Sequence, residues 1–518
     1  MIPATMNGAQ ALVRTLLGAG VDTCFGNPGT SEMHFVAALD QVAGMHGVLG
    51  LFEGVVTGAA DGYGRMAGKP AATLLHCGPG LANGLANLHN ARRAHTPILN
   101  LVGDQASYHR PLDPPLNAET EAWARPVSAW TRTVSESSAI GFDAVAAIQA
   151  ARTAPGAIAT LILPSEVCWN PGASVAEALA VPPAPRVDEA AVTRVHALLR
   201  SGEPCAILLG EGVLRADVLV LAARIGAATG AKVVTPHAAG RLERGGGRPA
   251  LPRVPYALPL AMAMFKGIKH LILVGRARPV LFFAYPGQPQ TPEPADAQIH
   301  VLARPEQDLK DCLERLADRL QAPALASAEA APAPQPARGA VTSEAVAQSL
   351  AALLPDEAVV VDESVSFGRT FFPATHGAPA HDWLALTGGA IGDGLPMATG
   401  AAVAAPGRRV ICLQADGSAL YTVQALWTQA REALDITTVI LSNRKYAILL
   451  HELDRVGARA GRTAMELLNL GNPDLDWVKI ANGFGVEAAR ADTMERFGEL
   501  FQSANRRRGP FVIELVIP

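Results

Sequence analysis

Aromatic residues are scarce in this chain: 14 Phe, 6 Trp and 6 Tyr among 518 residues, or 5%. A core with so few rings has to be filled by aliphatic and small side chains, and a 49% hydrophobic fraction supplies them. Charge is low too, at 17%, with a net of −4 and no long block of one sign. This argues against a nucleic-acid-binding protein, which needs a basic footprint. The six cysteines stand at 24, 77, 168, 205, 312 and 412 with no Cys-x-x-Cys pair, so reduced, buried thiols are expected. No apolar run reaches membrane-spanning length, and the start lacks a basic-then-apolar leader pattern. The expectation is a cytoplasmic protein that meets no membrane.

The most informative stretch is 409–446. Residues 410–414 form a short apolar run that reads as a buried strand, broken by Ala415-Asp416-Gly417-Ser418. Leu420, Val423, Leu426, Trp427 and Ala430 recur at helical spacing, and 436–441 is a second strand ending in Ser442-Asn443-Arg444-Lys445. This is a βαβ unit with polar residues at the carboxyl ends of both strands, where open α/β sheets bind ligands. Asp416 offers an anionic oxygen and Asn443 a neutral one, the hard donors Mg²⁺ prefers beside phosphate oxygens. Gly417 and Ser418 stand at a helix start that suits an anion. Taken alone, the stretch equally suits an ordinary Asp-Gly turn.

Alternating strand and helix patterns continue through the chain, which predicts parallel sheets covered by helices. At 518 residues, two to four domains are expected. The boundaries read as one α/β unit over 1–175, a second over 185–322, an Ala/Pro-rich linker over 323–340 and a third unit over 341–518. In the first unit, Asn27-Pro28-Gly29-Thr30 follows a short strand at 23–26, and Thr30 or Ser31 could cap the next helix. Glu53 stands just past a strand at 48–51, in a partly enclosed place suited to proton transfer. A carboxylate in a helix's first turn is the plainer alternative. His76 ends a strand at 71–75. In the second unit, Gly210-x-Gly212 lacks the rest of a dinucleotide fingerprint.

The Asp416…Asn443 stretch resembles the Gly-Asp-Gly…Asn-Asn signature of thiamin-diphosphate (ThDP) enzymes, with Ala415 and Ser442 as departures. The run Phe52-Glu53-Gly54…Ala59-Ala60-Asp61-Gly62-Tyr63-Gly64-Arg65 resembles the pyrimidine-binding domain of the same family, about 360 residues earlier and in the family's order. Closer similarity is to the acetolactate synthase and benzoylformate decarboxylase branch, through Gly26-Asn27-Pro28-Gly29-Thr30, Leu75-His76 and Asn83.

The resemblance implies an α/β architecture of consecutive pyrimidine-binding, middle and diphosphate-binding domains. It implies Mg²⁺ held by Asp416, Asn443 and the Lys445 carbonyl, and cofactor activation by Glu53. His76 would move protons and Thr30 would meet the substrate carboxylate. Asn27, Pro28, Gly29, Asn83, Ser366, Gly389, Gly417, Ser418, Tyr446, Ala447 and Ile448 would surround the cofactor, with Ile391 propping its shape. Asp393 stands where an apolar residue is frequent. The stretch at Phe282 and Phe283 lacks a second histidine that benzoylformate decarboxylase carries. The expected activity is decarboxylation of a small-molecule 2-oxo acid followed by aldehyde release, or ligation to a second carbonyl compound as in acetolactate synthase. FAD is not expected. Active sites would lie between subunits of a homodimer or homotetramer.

Overall fold

The computed structural model describes residues 6–325 and 334–518. Residues 1–5, and 326–333 within the expected Ala/Pro linker, lie outside the described residues.

Three parallel α/β units follow one another, as expected. The first sheet holds β1 (Thr23–Asn27), β2 (His46–Leu49), β3 (Ala71–Leu75), β4 (Ile98–Asp104), β5 (Trp130–Thr133) and β6 (Ile158–Pro164), in the order β2-β1-β3-β4-β6-β5. The second holds β7 (Cys205–Leu209) and β8 (Lys232–Val234), with β10 (His270–Val274) and β11 (Gln298–Ala303), in the order β11-β10-β7-β8. Between β8 and β10 in the chain runs β9 (Leu242–Arg244). The third holds β12 (Ala358–Glu363), β13 (His381–Ala385), β14 (Val410–Ala415), β15 (Ile436–Ser442), β16 (Glu487–Ala491) and β17 (Phe511–Val516), in the order β16-β17-β15-β14-β12-β13-β9. β9 comes from the middle stretch yet pairs antiparallel with β13, so the second and third units share an edge.

Each order changes direction between two inner strands. β1 sits beside β3, β7 beside β10, and β12 beside β14, with their connections leaving to opposite sides. At such a switch point the crossover helices diverge and leave a crevice beyond the strands' carboxyl ends. The residues expected to carry chemistry fall at the first and third of these: Asn27 and His76 after β1 and β3, and Ser366 and Asp416 after β12 and β14.

Local chemistry explains several elements. The first helix, Gly8–Gly18, starts in a capping box, with Asn7 and Gln10 exchanging side-chain bonds to each other's backbone N–H. Such a cap contributes about 1 kcal/mol. β14 and β15 are buried throughout except at Ala415, as strands covered on both faces must be. The helix expected over 420–430 is split into Asp416–Ala419 and Ala425–Arg431. Between them Thr422 turns its hydroxyl onto the Gly392 carbonyl at 2.7 Å, a tertiary bond that competes with helix continuation.

The first and third units meet along the helices Glu53–Ala67 and Gly394–Ala404. Glycines let the backbones touch: a Cβ on Gly400 would lie 1.7 Å from the Ala59 carbonyl oxygen, and one on Gly62 would lie 2.0 Å from that of Met397. Arg65, fully desolvated, pairs with Asp61 and also donates to the Ala385 carbonyl at 2.8 Å and the Gly240 carbonyl at 3.3 Å, tying all three units together. Asp393 lies 4.0 Å from the same guanidinium with neither carboxyl oxygen hydrogen-bonded to the described residues. Burial, reinforced by Asp61 and opposed by Arg65, drives its pKa well up. No helix among the described residues is long and apolar enough to cross a membrane.

Candidate active site

Two groups of residues form, one at each outer switch point. At the first, Glu53 lies past the strand and opens the helix Glu53–Ala67; β2 stops at Leu49 and Phe52 is the N-cap. The helix dipole favours a carboxylate there. Glu53 is buried, 7% exposed, and its Oε2 accepts from Asn83 Nδ2 at 3.0 Å. Gly80 makes room, since a Cβ there would stand 3.0 Å from Oε1. Oε1 itself takes no hydrogen bond from the described residues, which leaves one carboxylate oxygen available to a ligand.

Beside it, His76 caps the helix Cys77–Arg93 and is about a quarter exposed. Its Nδ1 lies 2.9 Å from Glu32 Oε2. A carboxylate at Nδ1 fixes the ring and holds its proton on that side, while Nε2 has no hydrogen-bond partner among the described residues. Glu32 is 2% exposed and also accepts from Gly29 N–H and from Ser31 Oγ, each at 2.6 Å. Gly29 therefore belongs to the wall behind His76 and is needed there because a Cβ would fall 2.3 Å from the ring, while Asn27 ends β1 and leads into this turn through Pro28. Thr30 is exposed at the start of a 3-10 turn, and its hydroxyl joins no hydrogen bond of this group. Ser31 is the hydroxyl that meets His76, at 3.3 Å. The sequence pattern offered Ser31 only as a helix cap and did not single out Glu32. The only local cue is an acid three residues after a glycine.

At the third unit's switch point, Asp416, Gly417 and Ser418 line a narrow cleft with Asn443, Lys445, Tyr446, Ala447 and Ile448. Ser366 and Ile391 close its other side. Asp416 is buried; its Oδ1 accepts from Gly417 N at 2.8 Å and its Oδ2 from Arg444 N at 2.6 Å. Burial raises its pKa, partly offset by these N–H groups. Each carboxylate oxygen keeps lone pairs for a cation. Arg444 takes a left-handed φ of 58° so that the loop can double back. Tyr446 packs against Gly417, where a Cβ would stand 2.5 Å from the ring. The donor set is all hard oxygen, which fits Mg²⁺ with a diphosphate.

Ile391 sits in a loop braced from both units. Glu363, at the end of β12, accepts from Gly392 N at 2.6 Å and Gly394 N at 2.5 Å. Asn90, from the first unit, exchanges two bonds with Ala390. Burial pushes Glu363 up to about 6 despite those N–H donors. Gly389 is outside the cleft. It carries the Phe282 ring of the middle unit, 2.2 Å from where its Cβ would be, and its φ is +80°. Phe282 also lines a cavity of about 590 Å³ beyond β7 and β10.

The cleft around Asp416 is lined by third-unit residues alone, and Glu53 and His76 are not among them.

Fold and site together define a thiamine-diphosphate enzyme, and the chain belongs to that family. Residues 6–123 match the thiamine pyrophosphate enzyme N-terminal TPP binding domain, and 369–515 match the C-terminal TPP binding domain. Among individual proteins, the chain is 52% identical over 515 residues to IlvX of Mycobacterium tuberculosis, named an acetolactate synthase large subunit, covering 99% of both. It is 28% identical to the benzoylformate decarboxylase of Pseudomonas aeruginosa, covering 96% of each. In fold it matches a thiamine diphosphate-dependent 4-hydroxybenzoylformate decarboxylase of Rhodococcus jostii, with a TM-score of 0.84 over 98% of both chains at 24% identity.

Proposed function

We propose that the chain is a ThDP- and Mg²⁺-dependent decarboxylase of a 2-oxo acid that releases an aldehyde. The observation that supports it best is the pair of complementary half-sites at two switch points. One offers a buried carboxylate with a free oxygen; the other is an oxygen-donor cleft. When bound, ThDP supplies a carbon nucleophile and an electron sink for the departing carboxylate.

The chain's own residues do the rest. Asp416, Asn443 and the Lys445 carbonyl would hold Mg²⁺, and the Gly417 and Ser418 backbone would face the diphosphate. Glu53 Oε1 would hold the proton shared with the cofactor's aminopyrimidine, with Asn83 fixing Oε2. Ile391, braced by Glu363 and Asn90, would set the cofactor's bend. His76 Nε2 would carry protons to and from the reacting substrate, steadied by Glu32 at Nδ1. Thr30, with Asn27, Pro28 and Gly29, would form the wall met by the substrate carboxylate. Tyr446, Ala447 and Ile448 would exclude water. The middle unit would work without flavin. Because the two half-sites do not share a cleft within one chain, the working unit is a homodimer, or a tetramer of two such dimers, in the cytoplasm.

A second reading, ligation of the decarboxylated donor to another carbonyl compound, is favoured by the phenylalanines at 282 and 283. With no histidine there to return a proton, the donor would persist long enough to meet an acceptor. Incubation with pyruvate and with an aryl 2-oxo acid, followed by product analysis, separates the readings. An aldehyde supports the first, and a hydroxyketone or acetohydroxy acid supports the second.

A further inference from the structure

The wall behind His76 carries chemistry that proton transfer does not require. Glu32, His76 and Cys77 each present one ligating atom, and all three atoms lie within 4.8 Å of one another. His76 Nδ1 is 2.9 Å from Glu32 Oε2 and 3.8 Å from Cys77 Sγ. Around a tetrahedral zinc ion with bonds of about 2.0–2.3 Å, neighbouring donor atoms stand about 3.3–3.6 Å apart. These two separations bracket that range, so a cation enters by small movements of the three side chains once the Ser31 hydroxyl turns out of the focus. Ser31 Oγ already sits at the focus, 2.6 Å from Glu32 Oε1, 3.3 Å from His76 Nδ1 and 3.2 Å from Cys77 Sγ.

The backbone builds this cluster deliberately. Gly29 admits the imidazole, and Gly103 admits Glu32, whose Oε1 lies 1.7 Å from where a Cβ on that glycine would be. Cys77 holds a left-handed φ of 55°, a costly conformation for a residue with a side chain. Among the described residues, no other three His, Cys, Asp or Glu side chains converge in this way. The other five cysteines are buried and unpaired with such partners.

We propose that Glu32, His76 and Cys77 form a binding site for a thiophilic divalent cation of the zinc class, one per chain, which silences the enzyme by occupying His76 Nδ1. On binding, the Cys77 S–H bond breaks, its proton leaves to water and a metal–sulfur bond forms. The His76 proton moves from Nδ1 to Nε2 through water, and the freed Nδ1 lone pair and one Glu32 oxygen complete three protein ligands. One carboxylate and one thiolate neutralise the dication, which a buried place demands. The fourth position stays open, as where zinc meets an exchangeable ligand. Cation binding stands on geometry alone; the silencing rests on the proton-carrying role proposed for His76.

The test uses the full chain with ThDP and Mg²⁺ present, and Co²⁺ as the optical probe. The expected result is a thiolate-to-cobalt band in the near ultraviolet with tetrahedral visible bands, saturating at one Co²⁺ per chain. Oxygen ligands at Asp416 cannot produce a thiolate band. Cys77→Ser should abolish it, and Glu32→Gln should weaken binding about tenfold or more. Zn²⁺ should inhibit 2-oxo acid turnover, reversibly on chelation, and Cys77→Ser should raise the concentration needed at least about tenfold. Absence of a thiolate band, or its survival in Cys77→Ser, overturns the site. A Cys77-dependent band with turnover untouched by Zn²⁺ upholds the site and overturns the silencing. If no 2-oxo acid is turned over, the cobalt spectrum still decides on the site.

Discussion

The two half-sites are built to opposite specifications. Around Glu53 and His76 every acting group is locked: Glu32 receives three hydrogen bonds, Asn83 holds Glu53, and the supporting helices are packed against β1 and β3. Around Asp416 the anchor is buried, but from 443 to 476 no residue is buried at all. The helix Ala447–Arg455 is pinned chiefly through Glu452, which accepts from Tyr285 at 2.7 Å and from Tyr256 at 3.4 Å. The Glu53–His76 side is preorganised by its own hydrogen bonds, whereas the 443–476 side has few buried contacts to hold it. Local stability follows burial, so the second half should open far more readily than the first.

The largest effect that would sharpen this contrast is loss of the anchor. Asp416→Ala should lower turnover at fixed ThDP and Mg²⁺ by about a thousandfold, the weight of several kcal/mol of metal binding. Saturation kinetics in ThDP would show the loss mainly as weakened cofactor affinity. Next, adding ThDP and Mg²⁺ at a hundred times their dissociation constant should stabilise the chain by about 2.7 kcal/mol. Amide exchange should slow across 443–476 and stay unchanged across 71–93. Equal slowing in both regions would erase the distinction.

A third test concerns the brace between them. Glu363 is held at about 6, above the ordinary carboxyl value, so the folded state binds the proton more tightly than the unfolded one. Its contribution to stability is full below the unfolded pKa and is lost as pH rises through about 6, an effect of about 2 kcal/mol. Unfolding midpoints measured from pH 4.5 to 7 should show that slope, and Glu363→Gln should flatten it. The smallest effect is expected at Thr30. Thr30→Ala should raise the substrate KM a few-fold with kcat kept, about 1 kcal/mol of ground-state binding. A kcat loss like that of a locked residue would put Thr30 in the first half's network.

Legibility in the sequence followed the same division. The half-site of the third unit could be read because its parts are local: apolar runs at 410–414 and 436–441 mark strands, and Asp416 and Asn443 follow them on neighbouring, parallel β14 and β15. Glu53, His76 and Ile391 were found by resemblance. What escaped was set by contacts distant in the chain. Glu32 is a surface-type residue by composition until Gly103 and His76 close around it. β9 reads as loop until β13 offers an edge. The break at 420–424 follows from Thr422 meeting Gly392, and nothing in the periodicity of that helix announces it. Asn90 and Glu363, which brace Ile391, lie about 300 and 30 residues away from it.

The measurement that bears most directly on the account is CO₂ release from a panel of 2-oxo acids with ThDP and Mg²⁺, comparing the natural chain with Glu53→Gln. The account predicts release from at least one acid and a fall of about 10²–10⁴-fold in the variant, the range of a proton-transfer group. Release that is indifferent to Glu53→Gln would contradict the role of Glu53, and no release from any acid would contradict the proposed reaction.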